Sequence, residues 1–262
     1  MVTKKSIRVH SIKHYGWVRD LPDIRDHIYA APVEMLAQLP PKMDLRPQCP
    51  PVYDQGQLGS CTGNAIAGAV QFEREKQKLT PDFVPSRLFI YYCERVIEGT
   101  VATDSGAQIR DGIKVVANQG VPAETDWPYN IAQFAQKPPP QAYNDALADR
   151  AVNYSRLTQS LAPMKGCLAS GYPFVFGFTV YDSFESTAVA QTGVVPMPAA
   201  GEKVLGGHAV MAVGYDDSQQ RFIVRNSWGA GWGMQGYFTI PYAYLTESNL
   251  SSDFWTIRLV QI

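Results

Sequence analysis

The chain has 262 residues, 45% hydrophobic and 18% charged, with a formal charge of -1. That is the profile of a soluble globular protein, with length for one large domain or two small lobes. The near-balanced charge removes the electrostatic case for nucleic acid or an anionic membrane, and no apolar run approaches the roughly 18 residues of a spanning helix.

Residues 1 to about 43 differ in character from the rest of the chain. They carry His10, His14 and His27, and the run Tyr15-Gly-Trp-Val-Arg-Asp-Leu-Pro-Asp23, which is too broken for a long helix yet holds bulky anchors. The expectation is a segment lying in extended form across a surface, closed by Leu39-Pro-Pro41 and kept extended by Pro47, Pro50 and Pro51 as far as Tyr53. The basic N-terminus is not followed by an apolar stretch, so no secretory leader is expected there. The compartment is left open.

A helix is predicted from Cys61 to about Lys78, with Ala65, Ile66, Ala69, Val70 and Phe72 at helical spacing. A second is predicted over 86–96. A third, from about Ser105, carries Ile109, Ile113, Val116 and Ala117 on one face and stops at Gly120. Lys137-Pro-Pro-Pro140 reads as a connecting tract. Beyond it the pattern turns to short strands: 152–157, 174–180, 208–215, 221–225, 236–240 and 254–260, with one helix at 161–170. The sum is an α+β arrangement of a helical lobe followed by a mostly antiparallel β lobe, with any active site in the cleft between them.

The chemistry begins at Gln55-Gly-Gln-Leu-Gly-Ser-Cys61. A cysteine opening a helix meets unpaired N–H groups and the positive end of the helix dipole, and both favour thiolate. A buried structural cysteine is the plainer alternative. Four cysteines (Cys49, Cys61, Cys93, Cys167) without CxxC or Cys/His ligand spacing argue against a zinc site. With Cys61 as a thiol they leave at most one disulfide. A nucleophilic cysteine needs a base, and one histidine follows residue 27: His208, in Gly206-Gly-His-Ala-Val-Met-Ala-Val-Gly-Tyr215. The run Asn226-Ser-Trp-Gly-Ala-Gly-Trp-Gly-Met-Gln-Gly-Tyr237 then offers an Asn to orient the imidazole and Trp228 to keep water from that contact.

Together these three motifs resemble the papain-like cysteine peptidases, in the family's order and over residues 44 to about 240. The resemblance implies a papain-like two-lobed fold: a helical N-terminal lobe, an antiparallel β-barrel-like C-terminal lobe and the site between them. It implies Cys61 as nucleophile, His208 as its partner, Asn226 as the orienting group, and the Gln55 amide with the Cys61 N–H as oxyanion hole. Ser105 and Gly106 match the pair that meets substrate backbone, Ser105 standing where the family has glycine. Gly207, Ala209 and Trp228 would border the substrate, and Gly177 would leave room for a bulky apolar residue. Leu58 and Thr62 depart from the family's Cys and Trp, so altered packing is expected beside the nucleophile.

The short N-terminus resembles the bacterial, xylellain-like branch rather than enzymes with a long helical prodomain. The expected division is a prosegment-like extension over residues 1–43 and a peptidase domain over 44–262, helical to about 150 and mostly β from about 151. The expected activity is endopeptidase, on peptide or protein substrates, by a monomer without cofactor or metal. Residues 1–43 either limit access to the cleft, as in a zymogen, or merely brace the fold. Acyl transfer or exopeptidase trimming at the same residues, and an inactive binding module, are the other readings.

Overall fold

The computed structural model of the chain describes residues 15–261, so the expectations attached to His10 and His14 lie outside the described residues. Strand β1 (Trp17–Val18) opens the described chain, followed by helix α1 (Val33–Ala37) and strand β2 (Lys42–Asp44). Three helices make one lobe: α2 (Cys61–Lys76), α3 (Arg87–Glu98) and, after strand β3 (Ala107–Gln108), α4 (Ile109–Asn118). Helix α5 (Pro140–Ala146) leads into strand β4 (Arg150–Arg156), helix α6 (Leu161–Ala169) and strand β5 (Phe174–Tyr181). The chain ends with helix α7 (Thr187–Thr192), strands β6 (Val204–Asp216), β7 (Arg221–Arg225) and β8 (Tyr237–Pro241), helix α8 (Tyr242–Thr246) and strand β9 (Ser251–Gln261).

Strands β4-β9-β5-β6-β7-β8 form an antiparallel sheet that β2 extends by pairing with β6. The fold is the expected two-lobed α+β arrangement. The sheet is open rather than closed into a barrel, since no pairing joins β4 to β8 among the described residues. Its core is aromatic: Phe174, Phe176, Phe178 and Phe254 are buried in a run of mutual ring contacts.

Helix α2 is the shared element. Small and apolar side chains bury nearly its whole length, so it packs against α3 and α4 on one side and β6 and β9 on the other. A helix covered all round is held by both lobes, which fixes the cysteine at its first position. Helix α3 is capped by Ser86, whose side chain accepts from the Phe89 N–H at 3.2 Å, and ends at Gly99 with φ +71°.

Three local outcomes differ from the sequence reading. The third helix starts at Ile109 rather than near Ser105, because Ala107 and Gln108 pair with Trp17 and Val18 as strands. The proline tract does not remain a connector: Pro140 opens α5, since proline costs nothing at a first helical position. And β2 straddles the expected boundary at residue 43, paired with β6.

The N-terminal segment is built into the molecule. Trp17 pairs with Ala107 on the helical lobe, while the Tyr29 N–H donates to the Arg156 carbonyl and the Arg156 N–H to the His27 carbonyl, at 2.8 and 2.7 Å. Helix α1 then packs on α6. The described part of the first 44 residues thus crosses from one lobe to the other before the peptidase-like motifs begin.

Candidate active site

The Gly-rich turn before Cys61 is pinned from three directions. Asp104 accepts from the Gly59 N–H at 3.0 Å and from the Tyr91 hydroxyl at 2.5 Å. The Gln55 N–H donates to the Ser227 carbonyl at 2.9 Å, and the Ser227 hydroxyl donates to Gln55 Oε1 at 2.6 Å. Gln55 Nε2 donates to the Leu58 carbonyl at 2.9 Å, which uses one of its two hydrogens and aims the amide along the turn toward the helix start. Leu58 packs beside Leu88, Tyr91 and Ala107, the apolar substitute for a cysteine there.

Cys61 is fully buried, and the backbone N–H groups of Ala209, Gly16 and Thr62 face its sulfur and favour the thiolate. Burial nevertheless dominates and pushes the thiol up to about 12. Thr62, in place of tryptophan, donates its hydroxyl to Glu94 at 2.7 Å. Glu94 is fully buried on α3, and burial holds its carboxyl well above the ordinary range. All four cysteines are free thiols, and among the described residues no group of His, Cys, Asp or Glu could hold a metal.

His208 lies in β6, one residue before the Ala209 N–H that reaches the Cys61 sulfur. Its Nε2 is 2.8 Å from Asn226 Oδ1, which also accepts the Ser227 N–H at 2.9 Å. An oxygen already fixed as acceptor requires Nε2 to carry the proton, which assigns Nδ1 as the basic nitrogen. Trp228 stacks on the imidazole with centroids 5.1 Å apart and planes 27° apart. The structure therefore brings Gln55, Cys61, His208, Asn226 and Trp228 into one buried cluster.

The cleft over this cluster is filled by a strap of the chain's own making, Tyr15-Gly16-Trp17. The Gly16 carbonyl accepts from the Ala107 N–H at 2.8 Å. Gly106, with φ +75°, lies so close beneath that a Cβ would collide with the Gly16 backbone. The Trp17 indole fills the space that the absent side chains of Gly177 and Gly207 leave, and its Nε1 donates to Asp253 at 3.1 Å. Tyr15 lies on the other side, 6.1 Å from His208 and 6.5 Å from Trp228, ring centre to ring centre. Its hydroxyl donates to Glu185. Of the residues expected to meet substrate, Gly106, Gly207, Ala209 and Trp228 line this cleft. Ser105 does not: it is exposed, and its hydroxyl turns to the Gly106 carbonyl.

Beyond Trp17 a charged cluster ties the strap down. Asp20 accepts from the Arg110 backbone N–H at 3.0 Å and from Trp255 Nε1 at 3.0 Å, while its own N–H donates to Asp253 at 2.8 Å. Arg156 reaches Asp253 at 2.9 Å and Asp26 at 3.0 Å, and Arg110 pairs with Asp26 at 2.5 Å. Burial, then the neighbouring Asp253, push the Asp20 carboxyl up to about 6. Sequence reasoning missed Asp20, Asp253, Glu185, Arg110 and Arg156. No local signal could have found them, because each acts through a partner far along the chain.

Comparison with known proteins places this geometry among relatives. The sequence pattern of the family described as "Papain family cysteine protease" matches residues 39–255. An uncharacterized peptidase C1-like protein of Acanthamoeba polyphaga mimivirus is 43% identical over 95% of this chain and 88% of its own length. A cathepsin B-like protein of Giardia intestinalis is 32% identical over 78% of this chain and 69% of its own. The crystal structure of xylellain, a cysteine protease from Xylella fastidiosa, superposes with a TM-score of 0.90 at 45% identity, covering 100% of both chains.

Proposed function

The chain belongs to the papain family of cysteine peptidases, and on that premise we propose a thiol endopeptidase that its own N-terminal segment holds shut. In the open enzyme, His208 Nδ1 takes the Cys61 proton, giving a thiolate–imidazolium pair. The thiolate attacks the carbonyl carbon of the scissile bond, and the resulting oxyanion accepts from the Gln55 side-chain amide and the Cys61 N–H. Collapse breaks the C–N bond as His208 returns its proton to the leaving amine, and the acyl group stays on sulfur as a thioester. A water molecule that gives its proton to His208 then attacks this thioester, releasing a carboxylate and restoring Cys61. Asn226 holds the imidazole in the required tautomer throughout, and Trp228 shields that hydrogen bond.

The observation that carries the shut state is the strap across Cys61. It is a peptide in the cleft, its Gly16 carbonyl paired with the Ala107 N–H and its Trp17 ring in the pocket between Gly177 and Gly207. Its Gly16 N–H faces the sulfur. Such a segment occupies the place that a substrate needs, which favours inhibition over mere bracing. The division at residue 43 accords with the same reading, with the strap as a prosegment.

An epoxide-type thiol-peptidase inactivator, with the adduct located by mass, tests the assignment. Cys61 is expected to be labelled far ahead of Cys49, Cys93 and Cys167, and the labelling to disappear in His208→Ala. Cys61→Ala is expected to lower hydrolysis of an acyl-aminocoumarin amide by about a thousandfold or more. Surviving hydrolysis would remove Cys61 from the mechanism.

A further inference from the structure

The strap also reports what the cleft holds on the amine side of the cleaved bond. His208 has to protonate the leaving amine, so the residue after that bond belongs beside His208 and Trp228, where Tyr15 now lies. The walls of this place are specific. Phe184 meets Trp228 edge-on, with ring centroids 5.4 Å apart. On the β6 side a Cβ at Gly206 would come within 2.6 Å of the Tyr15 side chain, so only glycine leaves room. At the far end stands Glu185, the last residue of a 3-10 turn over Asp182–Glu185. Glu185 is half-buried. Burial raises its carboxyl, and the hydrogen bond from the Tyr15 hydroxyl acts against that rise. Among the described residues no lysine or arginine forms an ion pair with it.

We infer that Glu185 is a specificity-determining residue: once Tyr15 has left, its carboxylate selects substrates with arginine or lysine immediately after the cleaved bond. This rests on the proposed peptidase activity and adds a substrate class to it. A phenol gives Glu185 one neutral donor. A guanidinium or ammonium gives it a charge-assisted hydrogen bond while its flat or aliphatic part lies against the aromatic wall of Trp228 and Phe184. The neutral occupant suits a strap that has to come off, and a cation at the same place binds more strongly. An acidic residue there meets like charge and is disfavoured. The partial exposure of Glu185 keeps the expected selection at about tenfold rather than thousandfold.

The test uses the full-length chain and internally quenched peptides identical except for the residue after the cleaved bond: arginine, lysine, leucine or glutamate. All compete for the same open fraction, so ratios of their kcat/KM do not depend on how much strap is displaced. The wild type is expected to cleave the arginine peptide about tenfold faster than the leucine one, with glutamate slowest. Glu185→Gln should bring arginine and leucine close to parity, and Glu185→Lys should favour glutamate. An arginine-to-leucine ratio unchanged in both variants overturns the inference. An acyl-aminocoumarin amide, which has no residue there, reads the peptidase activity separately: its hydrolysis with flat peptide ratios sinks the role of Glu185 alone. If neither the wild type nor Gly16→Ala, whose added Cβ would collide with the Gly59 carbonyl and lift the strap, hydrolyses that amide, the peptidase reading fails, and charge selection is read at Cys61 with cationic and anionic methanethiosulfonates. A cation preference of about tenfold that Glu185→Gln abolishes supports the carboxylate's role, and equal rates overturn it.

Discussion

At Gly16 one hydrogen atom decides whether the strap can lie in the cleft. A Cβ there would overlap the Gly59 carbonyl, which belongs to the turn that delivers Cys61 and cannot retreat without moving that cysteine. Gly16→Ala is therefore expected to lift the strap rather than unfold the protein. Overpacking of this kind costs about 1–3 kcal/mol, so alkylation of Cys61 by iodoacetamide in the full-length chain should quicken by about tenfold. An unchanged rate would mean that the strap does not limit access. At the same scale, the motif residues were legible because each lies in a local run: the thiol at the helix start, the lone late histidine, the asparagine ahead of a tryptophan. Thr62 was recognised only as a departure, and its bond to a buried Glu94 on α3 required the fold.

The strap as an element is held by one large side chain and one short backbone pairing. Trp17 is buried against Gly177 and Gly207 of the β lobe, and truncating such a side chain to alanine costs about 3 kcal/mol. Trp17→Ala is thus expected to speed hydrogen exchange of the Ala107 amide, whose acceptor is the Gly16 carbonyl, by about a hundredfold. Amides in the centre of β6 should keep their protection. Equal loss in both would indicate global destabilisation instead of strap release. The long elements were legible from periodicity. Helix α2 ends within two residues of its expected limit, and β7 occupies its expected span. Short elements were not. Two-residue strands β1 and β3 exist because they meet each other, and neither Trp17-Val18 nor Ala107-Gln108 carries that information alone.

Across the whole molecule, a cluster of charged groups joins the strap to both lobes. Facing Asp20 are Arg110 from α4, Arg156 from β4 and Asp253 from β9, with Asp26 completing the cluster. The Asp20 carboxyl sits at about 6 when docked, against an ordinary value of 3.8. The docked strap therefore holds its proton more tightly than the released one. This contribution to closure is fully present below pH ~4 and is lost as pH rises through about 6. Burial raises Asp253 as well, in the same direction. Closure is expected to be tightest in acid and weaker near neutrality, seen as a falling protection factor of the Ala107 amide between pH ~4 and ~7. Asp20→Asn should flatten that dependence. A protection factor that instead rises over this range would contradict the assignment.

The amino-acid order by itself determined the helical and β halves and marked Cys61, His208 and Asn226 as the candidate nucleophile, base and orienting group, because periodicity and short motifs are properties of neighbouring residues. It also marked the N-terminal stretch as extended and aromatic. Tertiary structure alone decided where that stretch lies and what grips it. Tyr15 meets Glu185 across 170 residues and Trp17 meets Asp253 across 236. Contacts of that span arise from packing the two lobes around α2, and no local pattern of side chains encodes them.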